Sequence, residues 1–273
     1  MTVFAFPLTL KHTPGGHEHD QRTHAGAEQL TAQRLEELKP QDKVVRSDSE
    51  RDWQALGLKR PTDTELLETF GLQDQGVTIS VYTDRLGYLY LQGSLNAGEF
   101  ANEQVFRRTI AKNPETGEVL VSHDSFHLPE PLQKQGIGVD LLERSEALYQ
   151  KIGVNKIILT SDSIVGKYAW ARMGFDFYGE EDRSAVVNEF YNYLHTFGVP
   201  QEELPVSVNH PWEIAAYIPK TPRARFGDKR FVSGKDFLLY QASSYDAAKR
   251  LDPKDPGYLI GQEYYKERRK HRS

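Results

Sequence analysis

From Val77 onward, apolar and polar residues alternate through four successive stretches: VTISVYTD (77–84), GYLYLQGSL (87–95), EQVFRRTIAK (103–112) and EVLVSHDSFHL (118–128). A period of two sends neighbouring side chains to opposite faces of a pleated strand. DRLG (84–87) and NPETGE (113–118) are turn sequences, so these stretches predict consecutive antiparallel strands. After residue 136 the period lengthens to that of a helix, with Leu141, Leu142, Ala147 and Leu148 as its apolar stripe through about Ile152. NKIILTS (155–161) is a short continuous apolar run, the pattern of a strand buried on both faces. VGKYAWARMGF (165–175) reads as a helix stopped by Gly174, and FDFYG (175–179) as a further strand.

The flanks are less regular. MTVFAFPLTL (1–10) predicts an edge strand, KHTPGGHEHDQRTHAG (11–26) an extended arm, and AEQLTAQRLEELK (27–39) an amphipathic helix carrying Leu30, Leu35 and Leu38. Residues 39–63 read as a polar connector, with Thr62 or Asp63 capping a short helix through TELLETFGL (64–72). Beyond Glu180, SAVVNEFYNYLHTF (184–197) predicts a helix, and HPWEIAAYI and KDFLLYQASSYDAAKRL shorter ordered pieces. No internal repeat is visible. The pattern divides the chain into an N-terminal extension (1–75), a central domain (76–180) and a helical C-terminal extension (181–273). The fold class is α/β (α+β): a mixed, mostly antiparallel sheet flanked by helices.

Composition narrows the function classes. The chain has 273 residues, 38% of them apolar and 27% charged, as expected of a globular protein with a full core. Its net charge of −5 argues against a nucleic-acid partner, despite the basic end KERRKHRS. With no cysteine, disulfides, thiolate nucleophiles and cysteine-ligated zinc are excluded. The short apolar opening lacks a basic start and no run is long enough to cross a membrane, so the expected location is the cytoplasm.

QKQGIGVDLL (133–142) places Gly136 and Gly138 where a strand enters a helix. Such a junction leaves backbone N–H groups unpaired, and these together with the helix dipole favour an anion. A glycine turn that binds nothing uses the same residues. A dinucleotide fingerprint would need a third glycine at Asp140 or Leu141, and no P-loop lysine follows.

QKQGIG fits Gln/Arg-x-x-Gly-x-Gly/Ala, the acyl-CoA diphosphate loop of the GNAT (Gcn5-related N-acetyltransferase) superfamily. Together with the strand order and the Gly174–Phe175 ending, it makes residues 77–178 resemble that family. The resemblance implies a GNAT-like sheet and transfer of an acetyl group from acetyl-CoA to a primary amine of a small molecule or protein. It assigns the cofactor to Gln133, Lys134, Gln135, Gly136, Ile137 and Gly138, with Phe126, His127 and Leu128 beside the pantetheine arm. Its general base falls on the preceding strand, where His123 and Asp124 stand; alternation places His123 and His127 on one face and Asp124 on the other. The tyrosine that usually serves as acid is Trp170 here, which leaves Tyr168, Tyr178 or a water for that role. That departure bears on catalysis more than on acyl-CoA binding. The rivals are a non-catalytic protein of the same fold acting in binding or virion assembly, and a phage transferase modifying nucleobases.

His17, His19, Asp20 and His24 are legitimate metal ligands, but their spacing matches no closed zinc module, and no metal is expected. The same segment resembles a histidine-rich stretch near the termini of tailed-phage head-assembly proteins, which would make phage structural proteins partners. The aromatic-rich last third reads as core of a helical extension or as the wall of a substrate site.

Overall fold

The computed structural model describes residues 42–72, 76–96, 100–222 and 231–271. The expected first strand, the histidine-rich arm and the 27–39 helix lie outside them. The described chain is an α+β protein built on one mixed sheet of eight strands: β1 (Lys43–Arg46), β2 (Val77–Thr83), β3 (Leu89–Leu95), β4 (Gln104–Lys112), β5 (Val119–Phe126), β6 (Lys156–Ser161), β7 (Asp176–Phe177) and β8 (Tyr245–Arg250). Their spatial order is β1-β2-β3-β4-β5-β6-β8-β7. The pairs β1–β2 and β5–β6 are parallel and the others antiparallel.

Four strands follow the alternation. β2 and β3 bury every second residue, Val77, Ile79 and Val81 against Leu89, Leu91 and Leu95. The connector at 39–63, expected to be irregular, holds β1 and helix α1 (Glu50–Leu56), whose Trp53 is fully buried. Ser49 and Asp52 form a capping box on α1, and Thr62 and Glu65 form one on α2 (Asp63–Phe70). Helix α3 (Ile137–Ile152) lies on the same face of the sheet: Phe70 stacks on Phe106 at 4.9 Å and meets Tyr149 at 6.5 Å. Ala147, expected in the stripe of α3, is exposed; Ser145, Glu146, Tyr149 and Ile152 are buried instead. β6 buries one face only, Ile157, Leu159 and Ser161, with Thr160 exposed on the other.

After helix α4 (Ile164–Arg172) and β7, an inserted run carries α5 (Glu180–Thr196), α6 (Pro211–Ala216) and α7 (Gly234–Tyr240). Their aromatic residues Phe190, Tyr193 and Phe237 make a buried cluster. The chain then returns as β8, between β6 and β7, and ends in helix α8 (Pro256–Lys270). The 181–273 portion is mostly helical, but its one described strand completes the sheet, so elements on both sides of residues 75 and 180 share that sheet. A buried ion pair clamps this return. Lys249 Nζ of β8 donates to Glu146 Oε1 of α3 at 2.6 Å, and the Tyr265 hydroxyl of α8 donates to the same oxygen at 2.7 Å. Among the described residues, no helix is long and apolar enough to cross a membrane.

Candidate functional site

The glycine loop is braced from both sides. After a 3₁₀ turn at Glu130–Leu132, Gln133 Nε2 donates back to the Leu128 carbonyl at 2.7 Å, and Gln135 Nε2 donates to the Pro131 carbonyl at 2.6 Å. Both glutamine side chains thus hold the loop rather than reach outward. Lys134 (φ 61°) and Gly136 (φ 82°) turn the chain through the left-handed region into α3. Gly138 has a packing reason too, since a Cβ there would stand 3.0 Å from Cε1 of Phe126. Each glycine therefore has a conformational explanation, and Phe126 rests on the helix start.

Those explanations leave the backbone donors unused. The amides of Leu132 and Gln133 close the 3₁₀ turn, and those of Val139 and Asp140 both reach the Gly136 carbonyl at 3.1 Å. The amides of Lys134, Gly136, Ile137 and Gly138 have no hydrogen-bond partner among the described residues, and α3 has no side-chain cap. Four N–H groups beside a lysine at the start of a 16-residue helix form an anion-favouring row.

Beside this loop the sheet opens. β5 and β6 pair over three positions only, Leu120–Lys156, Val121–Ile157 and Ser122–Ile158. Among the described residues, β5 continues beyond them on β4 alone, and β6 on β8 alone. At the divergence lies a cavity of about 120 Å³ lined by Ser122, Ile158, Leu159, Thr160, Tyr178, Asp246 and Ala247. Thr160 Oγ1 donates to Asp246 Oδ1 at 2.7 Å, and the Asp246 amide reaches Asp182 Oδ1 at 3.4 Å. Tyr178 is 50% exposed, its hydroxyl makes no hydrogen bond among the described residues, and Lys156 Nζ lies 5.8 Å from its ring centre.

The sequence-derived candidates separate. In β5 the register passes from Ser125 opposite Arg107 to His123 opposite Arg108, so Asp124 is an extra residue, a bulge. The bulge breaks the expected phase: His123 is buried and His127, just past the strand, is exposed. His123 lies under α3, its ring 5.8 Å from that of Tyr149, with neither ring nitrogen hydrogen-bonded. Burial first, and the neighbouring Arg108 charge second, hold His123 well below the usual histidine range, so it is neutral. Asp124 is on the open face, accepting from Thr109 Oγ1 at 2.5 Å.

No protein-family model matches the chain, and neither does any curated protein.

Tyr168 belongs elsewhere. With Arg172 it lines a cavity of about 910 Å³ between α4, α6, α7 and α8, none of whose lining residues comes from β5, β6 or the glycine loop. Trp170, which the resemblance aligns with the expected acid, packs edge-on against Phe175 at 5.2 Å. Among the described residues, no group of three or more His, Asp or Glu could hold a metal, and the histidine-rich arm lies outside them. The residues that sequence reasoning missed are Ser122, Thr160 and Asp246. The signal for Asp246 was the alternation Tyr245–Ala247–Lys249, obscured because a lysine occupies a buried position.

Proposed function

We propose that the chain is an acyl-CoA-dependent N-acyltransferase, with acetyl-CoA as donor and a primary amine as acceptor. One observation carries the reading: a row of unpaired amides at the start of α3 stands beside a sheet that opens between β5 and β6. The residues fit such a donor. Lys134 and the amides of Lys134, Gly136, Ile137 and Gly138 supply charge and N–H groups to a diphosphate, and β5 beyond Ser122 offers an unpaired edge to an extended pantetheine amide chain. Bound there, acyl-CoA supplies an activated acyl carbon and a thiolate leaving group.

The chain's own part is proton handling on the open face. Asp246, oriented by Thr160, takes the proton of the incoming ammonium. Tyr178, on the same cavity wall, delivers a proton to the departing sulfur. This replaces Tyr168 as the acid and His123 as the base, because neither lines the opening. A second base candidate, Asp124, shares the open face.

The test is calorimetric titration with CoA, paired with thiol release over a panel of amines. Lys134→Asp keeps a residue that tolerates positive φ and reverses the charge; CoA affinity is expected to fall about tenfold or more, the loss of one charge-assisted contact. Tyr178→Phe is expected to leave CoA affinity unchanged and lower turnover about 10²-fold or more. Absence of CoA binding overturns the reading. CoA binding with no thiol released from any amine leaves a non-catalytic acyl-CoA binder.

A further inference from the structure

The larger of the two cavities described above lies apart from the proposed acyl-CoA site. Its volume of about 910 Å³ falls in the range of roughly 300–1,000 Å³ typical of small-molecule sites. Five aromatic rings line it: Tyr168, Trp212, Tyr217, Phe231 and Tyr264. Ile218, Phe231 and Ile260 on its rim are exposed at 79%, 60% and 38%, an apolar edge that water alone does not favour. Trp212 is fixed by the His210 ring stacked on it at 4.3 Å, itself held by a 2.9 Å contact with Asp176 of β7. The walls are thus apolar and braced, which suits a flat apolar ligand.

The charges decide which kind. Glu213 Oε2 accepts from the amides of Asn209 and His210, so it caps α6. Arg172 pairs with Glu267 at 3.3 Å, stacks on Tyr264 and donates to the Tyr168 hydroxyl. Among the described residues, two charged groups remain on the wall. Glu263 is exposed, with no contact among the described residues drawing it inward. Lys235 is held at the wall, its Nζ 5.4 Å from the Tyr168 ring centre, and has no carboxylate partner among the described residues. Cation–π placement leaves its N–H groups free for an anion.

We infer that this cavity is a second ligand site, which takes a flat aromatic molecule bearing one acidic group, with the acid on Lys235 and the rings among Tyr168, Trp212 and Tyr264. The inference does not depend on acyl-CoA binding, since the two sites share no residue.

The full-length chain is titrated calorimetrically with three probes of one shape: 1-naphthoate, neutral 1-naphthalenemethanol and cationic 1-naphthylmethylamine. The naphthoate is expected to bind tightest. Lys235→Glu, a change at an exposed position, is expected to weaken naphthoate about tenfold and to change naphthalenemethanol less than about twofold. Ala216→Trp, at another exposed lining position, is expected to abolish binding of all three by filling the cavity. The inference is overturned if the amine binds tighter than the acid, if Ala216→Trp leaves binding intact, or if none of the three binds; thermal melts of both variants confirm that they are folded.

Discussion

At the scale of single residues, the clearest physical statement concerns Asp48. Its side chain is fully buried; burial pushes the carboxyl up, but hydrogen bonds from Arg46, Arg60 and Trp53 Nε1 outweigh that and hold it well below the usual aspartate range. A carboxyl depressed on folding stabilises the fold fully above the ordinary aspartate value, and that contribution drains as pH falls below about 4 toward the folded value. Asp48→Asn is therefore expected to lower stability at pH 7 by about 2–3 kcal/mol, below the ~3–5 kcal/mol of a fully buried pair because both arginines are partly solvated. Urea denaturation at pH 7 and at pH 3 checks this: the gap between variant and parent should shrink at the lower pH. None of this was legible beforehand, since residues 39–63 show no periodicity and Asp48 pairs with side chains brought to it by folding. His123 and Asp124 were legible as a polar pair on the right strand, but a bulge has no sequence signature here, so the phase beyond it was misjudged.

At the scale of elements, the sequence served well where one face is buried and poorly where a helix is short or a strand carries a charge inward. β2 to β4, β5 as far as its bulge, α2 with its Thr62 cap, α3 apart from Ala147, and the Gly174 stop follow their patterns. Helix α1 was missed because one tryptophan and one leucine make too little stripe in 7 residues. Packing between elements adds constraints that no pattern displays. Gly174 and Gly57 both sit at φ 80°, yet a Cβ on Gly57 would meet nothing within 4 Å, whereas on Gly174 it would lie 1.8 Å from the Gly257 carbonyl oxygen at the start of α8. Gly57→Ala is expected to cost about 1–2 kcal/mol, the strain of the left-handed region alone. Gly174→Ala is expected to cost more than about 3 kcal/mol, because α8 must move away from α4. Paired urea melts measure the difference, and equal losses would show that the overlap is relieved without displacing α8.

At the scale of the whole molecule, the architecture class was readable but its partition was not. Local periodicity reports a strand's burial and says nothing of which strand lies beside it, so the residues of β8 read locally as part of a helical extension. The candidate site has the same division: the 133–138 loop is one contiguous stretch of sequence, while Asp246 reaches the opening only through the crossing order of the sheet. A chain limited to residues 76–180 leaves β6 without its β8 partner and β7 with no partner at all. It is expected to show no cooperative thermal transition by circular dichroism, whereas residues 40–273 should show one.

The placement of β8 also sets a timetable. While the polypeptide emerges from a ribosome, β2 to β5 can zip together from neighbour to neighbour, but the slot between β6 and β7 stays empty until Arg250 is synthesised. Closing it joins segments about 70 to 94 positions apart, a slow step by the usual link between contact range and rate. In the interval the raw edge of β6 is available to any passing strand, so nascent chains of this protein should depend on chaperone shelter more than their finished stability suggests.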